Sequence, residues 1–383
     1  MKRVSVLGST GNIGKKTVEL LAQNLEKYHV EALTTHSNFE LLAFQAKLLK
    51  VKHVAIVNEE FYLELKNRLS GTNINIEVGI NGLMNIASFA VDLSVVAVVG
   101  IAGLEPVMRI IESGTKVISI ANKESIVCGG KLLFEKAKKN NVSIIPIDSE
   151  HNAIFQILEH GKKHVEKIIL TASGGPFLNS TYQEIQNSSI EQVLTHPTWD
   201  MGKKISVDSA TMMNKVLEMI EAYNLFKVNA IEVVVHPESI VHSIVSYQDG
   251  FNFAVLAEPD MKIPISYALS WPERQKLNCK LDLTKQKKLT FIKPDHQRFP
   301  ALKLGFEIMN SHSLHAKSIV LNAANEIAVN AFLNSQIKFM DIVKIVELTL
   351  NKFTNNFEIA TLSNILEINK EARVISTKHA ISY

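Results

Sequence analysis

The chain has 383 residues, of which 46% are hydrophobic and 21% are charged, so it resembles an ordinary globular protein with room for more than one core. Basic residues outnumber acidic ones only by 41 to 38 and are scattered along the chain, which argues against a nucleic-acid-binding surface. Cysteines number 2, too few for a disulfide framework or a four-cysteine zinc site. Composition therefore predicts a multi-domain protein whose chemistry does not depend on disulfides or on a cysteine-bound zinc ion.

Nothing in the sequence indicates a membrane segment or an export signal. The longest uncharged apolar stretch, residues 93–104, is shorter than the roughly 20 residues that a spanning helix needs. The first eight residues lack the long apolar region of a signal peptide and lead directly into a glycine-rich turn. We therefore expect a cytoplasmic protein, mature as it stands, with neither nucleic acid nor membrane as a partner.

Strand-like apolar runs alternate with amphipathic segments over the first 150 residues. The predicted strands cover residues 4–7, 30–33, 54–57, 74–78, 95–99, 117–120 and 142–147. The predicted helices between them include residues 39–50, 61–69, 104–112 and 124–139. This alternation is typical of βαβ units, and strands without polar alternation are typical of a parallel sheet covered on both faces. The fold class is therefore predicted to be α/β.

The remaining chain has a different organisation. A strand at 167–172 and a helix at 209–226 precede three strands at 231–235, 240–247 and 253–256, and Asp249-Gly250 between the last two favours a hairpin. Residues 273–300 are weakly patterned, and helical periodicity follows at 301–309, 317–333, 341–349 and 362–370. We predict a parallel-sheet domain at 1–148, an α+β domain at 149–272, a linker at 273–300 and a helical bundle at 301–383.

The first chemical signal is the turn from Gly8 to Gly14, which follows the first strand and opens a helix. Glycines let a backbone approach a pyrophosphate, and a helix N-terminus offers unpaired N–H groups, so the turn favours dinucleotide binding over a plain tight turn. The second strand leads into His36-Ser37-Asn38 without the acidic residue that binds the ribose of NAD. This favours NADP, although no Arg or Lys clamp is present there.

Charged residues follow two later strands of the predicted sheet. Lys123 follows the sixth strand, and Asp148 and Glu150 follow the seventh. In an open α/β sheet, ligands bind outside the carboxyl ends of the strands. On an extended chain both carboxylates would point the same way and suit Mg²⁺ or Mn²⁺; a solvated loop is the alternative.

A second cluster lies between Asp208 and Glu218. Either Asp208 or Ser209 is a suitable N-cap for the predicted helix. Asn214 and Lys215 share a helix face with Glu218, which indicates either a surface ion pair or a phosphate site with a carboxylate one turn away.

Two further segments add polar groups to this cluster. The turn Ser173-Gly174-Gly175 offers further donors for a phosphate. The segment from His196 to Gly202 contains Trp199, which indicates either a core tryptophan or an apolar lid that closes over a substrate. His151, His196 and His242 are candidate polar contacts.

Together these segments resemble the 1-deoxy-D-xylulose 5-phosphate reductoisomerase family. The matching motifs occur in family order over nearly the whole chain, and they are GSTGNIG, IAGLEP, ANKES, PIDSEHNAIFQ, TASGGPF, HPTWDMGKKISVDSATMMNK, HPESIVHS, EPDM and VLNAANEIAV. The resemblance implies a homodimer with a Rossmann-like NADPH domain, an α+β catalytic domain that also mediates dimerisation, and a C-terminal helical domain. It further implies rearrangement and reduction of a phosphorylated sugar, 1-deoxy-D-xylulose 5-phosphate, with NADPH and Mn²⁺ or Mg²⁺ as cofactors.

The resemblance also implies a role for individual residues. The implied metal ligands are Asp148, Glu150 and Glu218. The implied phosphate ligands are Ser173, Ser209, Asn214 and Lys215. Contacts to the rest of the substrate are implied for Lys123, Ser149, Glu150, His196 and Glu218, of which Lys123, Glu150, His196 and Glu218 would be catalytic. The implied cofactor contacts are Thr10, Gly11, Asn12, Ile13, Asn38, Asn122, Glu124 and Gly202, and Trp199 and Met201 match the apolar contacts of the family's lid.

Two positions depart from the family pattern. Val216 stands where Gly or Ala is typical, and its branched side chain is expected to crowd the start of the helix without removing a ligand. His36-Ser37 stand where the family often has Gly followed by a basic residue, which bears on the discrimination between NADP and NAD.

Two other classes of function fit parts of the sequence. One is another NADP-dependent oxidoreductase, such as a semialdehyde or homoserine dehydrogenase, but these do not need the carboxylate set, and a semialdehyde dehydrogenase needs a catalytic cysteine. Cys128, a candidate for that role, lies near a predicted helix start. The other is a nucleotide-sensing module, which would bind the cofactor without turnover.

Overall fold

The computed structural model describes residues 1–199, 201–353 and 359–382, so Asp200 of the predicted lid lies outside the described residues. The chain forms two compact units. The first comprises Met1–Ser125, Leu133–Asn152 and Asp260–Cys279, and the second comprises Ile126–Leu132, Ala153–Pro259 and Lys280–Tyr383. The domain boundaries predicted from the sequence stay a prediction.

A parallel sheet forms the centre of the first unit. Its strands are β1 (Lys2–Leu7), β2 (Tyr28–Thr35), β3 (His53–Ile56), β4 (Asn75–Val78), β5 (Leu93–Val96), β6 (Val117–Ile120) and β7 (Ser143–Pro146). They lie in the order β4-β3-β2-β1-β5-β6-β7. Strands β2 to β4 are added on one side of β1, and β5 to β7 are added on its other side, so the strand order reverses at the boundary between β1 and β5. In doubly wound sheets, ligands bind outside the carboxyl ends of the strands at this switch point. The Rossmann-like part of the fold prediction is confirmed.

Helices connect most of these strands. They are α1 (Asn12–Ala22), α2 (Phe39–Leu49), α3 (Tyr62–Arg68), α4 (Gly79–Ala87), α5 (Leu104–Glu112) and α6 (Lys123–Lys139), with short 3₁₀ turns at Glu59–Phe61 and Ile101–Gly103. Val4, Val6 and Leu7 of β1 are all fully buried, as expected for a strand covered on both faces. The fifth strand was predicted to run to residue 99 but ends at Val96, because Val96 pairs with Leu7 at the end of β1.

A smaller mixed sheet belongs to the second unit. Its strands are β8 (Val165–Ala172), β9 (Ile231–Val235), β10 (Val241–Tyr247) and β11 (Asn252–Leu256), in the order β11-β10-β8-β9. The pairs β10–β11 and β10–β8 are antiparallel, and β8–β9 is parallel. The predicted hairpin is confirmed, because β10 and β11 pair directly across Gln248-Asp249-Gly250.

The remaining helices follow β7 in the sequence. They are α7 (Ser149–Leu158), α8 (Tyr182–Gln186), α9 (Ile190–Leu194), α10 (Lys203–Thr211), α11 (Met213–Phe226), α12 (Lys262–Ser270), α13 (Ala301–Met309), α14 (Leu314–Leu333), α15 (Asp341–Lys352) and α16 (Leu362–Ile381), with a 3₁₀ turn at Leu283–Lys285. The core of the second unit joins Ile168 and Leu170 of β8 to Met219 and Phe226 of α11. No helix of the described residues is both long and apolar enough to cross a membrane.

The helical character of the C-terminal region is confirmed, but α16 is longer than predicted. The sequence becomes polar after residue 370, yet the helix continues to Ile381. Ala372 and Ser376 are fully buried there, and the Ser376 hydroxyl lies 3.0 Å from that of Thr349 on α15. Small residues packed against a neighbouring helix give no apolar periodicity, so the sequence pattern ended too early.

Candidate functional site

The glycine-rich turn between β1 and α1 is closed too tightly for side chains at two of its glycines. Gly8 has a φ of 83°, and a Cβ atom there would lie 2.5 Å from the carbonyl oxygen of Ala97. A Cβ atom on Gly14 would lie 2.2 Å from the carbonyl oxygen of Gly8. Gly11 is different, since a Cβ there would lie 3.6 Å from its nearest neighbour, an ordinary contact. Gly8 and Gly14 are therefore required by the packing of the turn, whereas Gly11 presents backbone without a side chain on its exposed side.

Buried side chains support this turn from the neighbouring elements. The Ser9 hydroxyl donates to Gln45 Oε1 at 2.7 Å, and Gln45 Nε2 donates to the carbonyl of Ser9 at 3.0 Å. The Thr34 hydroxyl accepts from the backbone N–H of Gly8 at 3.0 Å. Gln45 was not predicted as part of this turn, although a single amide among the apolar positions Leu42, Ala46 and Leu49 is visible in the sequence.

The start of α1 suits an anion. Its N-cap, Gly11, provides no side-chain hydrogen bond, and no acidic residue lies in the first helical turn. Gly11 and Asn12 are exposed, while Thr10 and Ile13 are half-buried. A helix start with free N–H donors and no competing carboxylate favours a bound phosphate.

Other predicted cofactor residues already have local partners. Asn38 caps α2 by accepting from the N–H of Leu41 at 3.1 Å. Asn122 is buried and caps α6, and its amide donates to the carbonyl of Val98 at 2.6 Å and to Glu124 Oε2 at 3.0 Å. Asn38 thus fixes the start of α2, and Asn122 joins the segments that follow β5 and β6. Their predicted contacts with a cofactor stay a prediction.

A charged cluster follows β6 and β7 in the first unit. Lys123 Nζ lies 3.0 Å from Asp148 Oδ2, and His151 Nδ1 lies 2.8 Å from Asp148 Oδ1. The side chain of Asp148 is 12% exposed, and that of His151 is fully buried. Both carboxylate oxygens of Asp148 are therefore oriented by neighbours, as is typical of a ligand held ready for a metal. His151, noted only as a candidate polar contact, is part of this cluster.

The backbone at Asp148 and Glu150 differs from the prediction of an extended chain. Helix α7 begins at Ser149, the N–H of Asn152 donates to the carbonyl of Asp148 at 2.8 Å, and the carboxylate of Asp148 accepts from the N–H of His151 at 3.4 Å. Glu150 therefore lies in the first helical turn, where its oxygen accepts from the Ser149 hydroxyl. The extended backbone was predicted wrongly, because a helix begins directly after Asp148, but the two carboxylates still converge, with oxygen atoms within 4.8 Å of each other.

The predicted helix at 209–226 is interrupted in the second unit. Helix α10 ends at Thr211, Met212 adopts a left-handed conformation with a φ of 64°, and α11 begins at Met213. Asp208 and Ser209 lie inside α10, so the prediction that one of them is an N-cap was wrong. The break follows from Thr211, whose hydroxyl accepts from the N–H of Met213 and so competes with regular helix hydrogen bonding.

Helix α11 carries a buried ion pair. Lys215 Nζ lies 2.5 Å from Glu218 Oε2 and donates to the carbonyl of Thr171 at 2.6 Å, and the Asn214 amide donates to the other oxygen of Glu218. The side chains of Lys215 and Glu218 are 4% and 1% exposed, which excludes the surface-pair alternative. A buried pair of this kind gains little stability over apolar residues, so a chemical role explains its presence better than a structural one.

The predicted phosphate residues of the second unit converge around the end of β8. Lys215 contacts the carbonyl of Thr171 in that strand. Two residues further along the chain, the Ser173 hydroxyl lies 3.0 Å from His196 Nε2. A Cβ atom on Gly175 would lie 3.1 Å from the carbonyl oxygen of Ser209, so this turn also meets α10.

The hydrogen bonds of His196 fix its protonation state. Nδ1 accepts from the N–H groups of Thr198 and Trp199 at 3.1 and 2.9 Å, so it carries no proton. Nε2 therefore carries the proton and donates to the Ser173 hydroxyl, which also accepts from the N–H of Gly175. Burial lowers the pKa of the His196 imidazole, in agreement with a neutral ring. The Ser173 hydroxyl proton is then directed to another acceptor.

The segment after His196 is partly open. Trp199 is half-buried, with its ring centroid 6.4 Å from that of His242 in an edge-on arrangement. Met201 is half-buried and Gly202 is exposed, immediately before α10. The tryptophan is therefore not a core residue, whereas its predicted role in a lid stays a prediction.

Val216 is accommodated within the second unit. It is fully buried, and a Cβ atom on Gly305 of α13 would lie 3.0 Å from both of its methyl carbons. The branched side chain thus occupies the space that a glycine leaves open on the neighbouring helix. The expected crowding at the helix start is relieved by this partner.

Known proteins are similar to this chain over nearly its whole length. The family model described as 1-deoxy-D-xylulose 5-phosphate reductoisomerase matches residues 4–130, and models of the C-terminal domains of that enzyme match residues 144–226 and 256–375. A 1-deoxy-D-xylulose 5-phosphate reductoisomerase from Wolbachia sp. subsp. Brugia malayi is 66% identical over 98% of this chain and 97% of its own length. One from Ehrlichia canis is 52% identical over 98% of each chain.

Solved structures are similar over the same extent. The enzyme from Zymomonas mobilis in complex with NADPH is 40% identical, with a TM-score of 0.92 and complete coverage of both chains. A DOX-P reductoisomerase in complex with NADPH, fosmidomycin and magnesium is 39% identical, with a TM-score of 0.93 over 99% of this chain and 98% of its own. The chain belongs to the 1-deoxy-D-xylulose 5-phosphate reductoisomerase family.

Proposed function

We propose that the two units divide the reaction of this family between them, with the glycine-rich turn binding NADPH and the β8–α10–α11 region binding the substrate phosphate. The chain catalyses the NADPH- and divalent-metal-dependent conversion of 1-deoxy-D-xylulose 5-phosphate into 2-C-methyl-D-erythritol 4-phosphate. The buried Lys215–Glu218 pair beside Ser173 and His196 is the observation that carries the assignment of the substrate site.

The turn before α1 fits a dinucleotide. Its closely packed backbone at Gly8 and Gly14, its bare Gly11 and the absence of an acid from the first turn of α1 leave space and positive dipole for a pyrophosphate. We assign Thr10, Gly11, Asn12 and Ile13 to it, together with Asn38, Asn122, Glu124 and Gly202 as further cofactor contacts. NADPH supplies the reducing equivalents once it is bound.

The carboxylates fit a hard divalent cation. Asp148, Glu150 and Glu218 offer only oxygen donors, and Asp148 and Glu218 are each held by a cation and a second polar side chain. We propose that these three residues ligate Mn²⁺ or Mg²⁺. The metal supplies electrostatic stabilisation of substrate oxygens that become negative during rearrangement.

The remaining residues bind and orient the substrate. The Ser173 hydroxyl donates to the phosphate because its own acceptor sites are used by His196 and Gly175, and Ser209, Asn214 and Lys215 complete the phosphate site. Phosphate contacts remote from the reacting carbons provide binding energy for orientation.

Five residues are proposed to contact the reacting part of the substrate, and they are Lys123, Ser149, Glu150, His196 and Glu218. Lys123 carries the positive charge beside Asp148, and Ser149 and Glu150 begin α7 next to it. His196 is not a base, since its Nδ1 is occupied by the backbone and its Nε2 proton is donated to Ser173; it faces the substrate as a neutral ring that orients the Ser173 hydroxyl.

A substrate- and metal-dependence assay tests this proposal. The purified chain should oxidise NADPH only when both 1-deoxy-D-xylulose 5-phosphate and Mn²⁺ or Mg²⁺ are present, and EDTA should abolish the reaction reversibly. NADPH binding without turnover under all conditions would indicate a nucleotide-sensing module. Turnover that survives complete removal of metal would exclude the carboxylate assignment.

The edge of the mixed sheet favours a homodimer. Strand β11 ends that sheet, and Phe253 and Leu256 on it are 55% and 37% exposed. An exposed apolar edge strand is a template for pairing with another chain. We propose that a second copy of this chain covers β11, and that the protein acts in the cytoplasm.

Light scattering tests the dimer. The wild type should have twice the monomer mass, and Phe253→Glu should shift it towards the monomer. Phe44→Glu is the matched control, because Phe44 is 63% exposed on α2 of the first unit. Equal masses for wild type and Phe253→Glu would exclude β11 as the contact.

A further inference from the structure

Helix α14 contains a buried amide that contacts the helix of the proposed phosphate site. Asn325 has no exposed surface, and its Nδ2 donates to Asp208 Oδ1 at 2.8 Å. Its own amide oxygen is buried without a hydrogen-bond partner among the residues that the structure describes. A buried polar group that is only half satisfied costs stability, so a different benefit is needed to explain it.

Asp208 is a buried carboxylate next to Ser209. It is 1% exposed, and its second oxygen lies 2.8 Å from Lys204 Nζ, one turn earlier in α10. Asn325 and Lys204 therefore hold one oxygen each. Their positive hydrogens offset a negative charge that would otherwise repel a phosphate bound at Ser209.

Backbone hydrogen bonds connect the position of Asp208 to the residues of the proposed phosphate site that follow it. The carbonyl of Ser209 accepts from the N–H of Met212 at 3.1 Å, and the carbonyl of Met212 accepts from the N–H of Lys215 at 3.1 Å. The end of α10 thus sets where α11 and its lysine begin. A displacement of Asp208 would displace the residues on both sides of the turn.

We propose that Asn325 is a positioning residue for the substrate phosphate, acting through Asp208 from the C-terminal helical region. The inference rests on the proposed function, since it assigns a new residue to the phosphate site proposed above. Its effect falls on phosphate affinity and not on the cofactor.

Asn322 provides a matched control. It lies one helical turn before Asn325 on α14, is equally buried, and its amide oxygen likewise lacks a partner among the described residues. Its Nδ2 donates at 3.0 Å to Glu326 of the same helix instead of to α10. Asn322→Ala therefore measures the cost of losing a buried amide from α14 without touching Asp208.

The test compares Asn325→Ala with Asn322→Ala in the full-length enzyme. Asn325→Ala should raise both the KM for 1-deoxy-D-xylulose 5-phosphate and the inhibition constant of inorganic phosphate about tenfold, since a hydrogen bond to a charged group is lost. The KM for NADPH and kcat should stay near wild type. Asn322→Ala should lower the melting temperature without raising either constant.

An exchange of the two side chains keeps the proposal testable if Asn325→Ala does not fold. Asn325→Asp alone opposes two buried carboxylates, whereas Asp208→Asn with Asn325→Asp restores a donor and an acceptor across the same contact and leaves a carbonyl for Lys204. The double variant should recover phosphate affinity relative to Asn325→Asp.

The outcomes separate the two levels of inference. A wild type without substrate-dependent activity would overturn the proposed function. An active wild type with equal KM and phosphate inhibition in the Asn325 and Asn322 variants, or a double variant no better than Asn325→Asp, would overturn the role of Asn325 alone.

Discussion

The glycine-rich turn of the first unit and the β8–α10–α11 region of the second are held in shape by different parts of the chain. The turn is shaped by backbone, with Gly8 and Gly14 in contacts that no side chain fits. The second region is shaped by buried polar side chains, among them Lys215, Glu218 and Asp208. A backbone-built site depends on sterics within a few residues, whereas a site of buried charges depends on every partner that neutralises them.

This difference determines how each region should respond to substitution. In the turn, an added methyl group should act through shape alone. In the second region, even an isosteric change of charge should alter chemistry while the fold survives.

The largest effect is expected from Glu218→Gln. The amide oxygen of Gln still accepts from Lys215, so the protein should fold, but a proposed metal ligand loses its charge and kcat should fall by about a hundredfold or more. Glu232→Gln is the control, because Glu232 forms an exposed pair with Lys167. Wild-type activity in Glu218→Gln would remove Glu218 from the metal site.

The second effect concerns the turn. Gly14→Ala would bring a methyl group to 2.2 Å from the carbonyl of Gly8, so the turn must open and NADPH affinity, measured by fluorescence titration, should fall sharply. The free energy of unfolding should also fall by about 1–3 kcal/mol. Gly11→Ala should leave the unfolding free energy near wild type, because its methyl group has space. Equal destabilisation by both would contradict a backbone-built site.

The third effect concerns Lys215→Ala. Loss of the ammonium should raise the KM for 1-deoxy-D-xylulose 5-phosphate about ten- to a hundredfold, as expected for a charge-assisted phosphate contact. It also leaves Glu218 buried without its cation, at a cost to stability of about 3 kcal/mol. Lys167→Ala removes a lysine that is 31% exposed and should change neither quantity. An unchanged KM in Lys215→Ala would argue against the phosphate contact.

The smallest effect concerns the protonation of His196. Because burial lowers its pKa, the neutral ring contributes stability that is fully present above the unfolded pKa of about 6.5 and is lost as the pH falls through the lower folded pKa. The KM for the substrate should therefore rise on acidification below that range, as the backbone contacts to Nδ1 break. His196→Asn keeps an acceptor for Thr198 and Trp199 but lacks the Nε2 donor.

The His196→Asn variant should have a KM several-fold above wild type at neutral pH, in line with one lost hydrogen bond. Its KM should no longer depend on pH in the acidic range. An acidic KM profile identical to that of the wild type would show that another group titrates.

The sequence predicted the turn and the parallel sheet well because their signals are local. Gly8 to Gly14 and the strand before them lie within fourteen consecutive positions, and apolar strands of a covered sheet need no long-range information. The signal for the Lys215–Glu218 pair was also local, since residues three apart share a helix face.

The tertiary features were not predictable in the same way. The contact between Asn325 and Asp208 joins residues 117 positions apart, and the pairing of Val216 with Gly305 depends on how α11 and α13 pack. The break at Met212 was missed because a non-glycine residue adopts the left-handed conformation there. Local propensity gives no signal for either kind of feature.

The most direct test of coupled rearrangement and reduction is to follow the hydrogen that NADPH transfers. The purified chain, 1-deoxy-D-xylulose 5-phosphate, Mg²⁺ and NADPH deuterated at the transferring position of the nicotinamide should give 2-C-methyl-D-erythritol 4-phosphate with one deuterium at the carbon of the reduced aldehyde, as read by NMR and mass spectrometry. A deuterated product with an unbranched carbon skeleton, or the branched product without deuterium, would contradict coupled rearrangement and reduction.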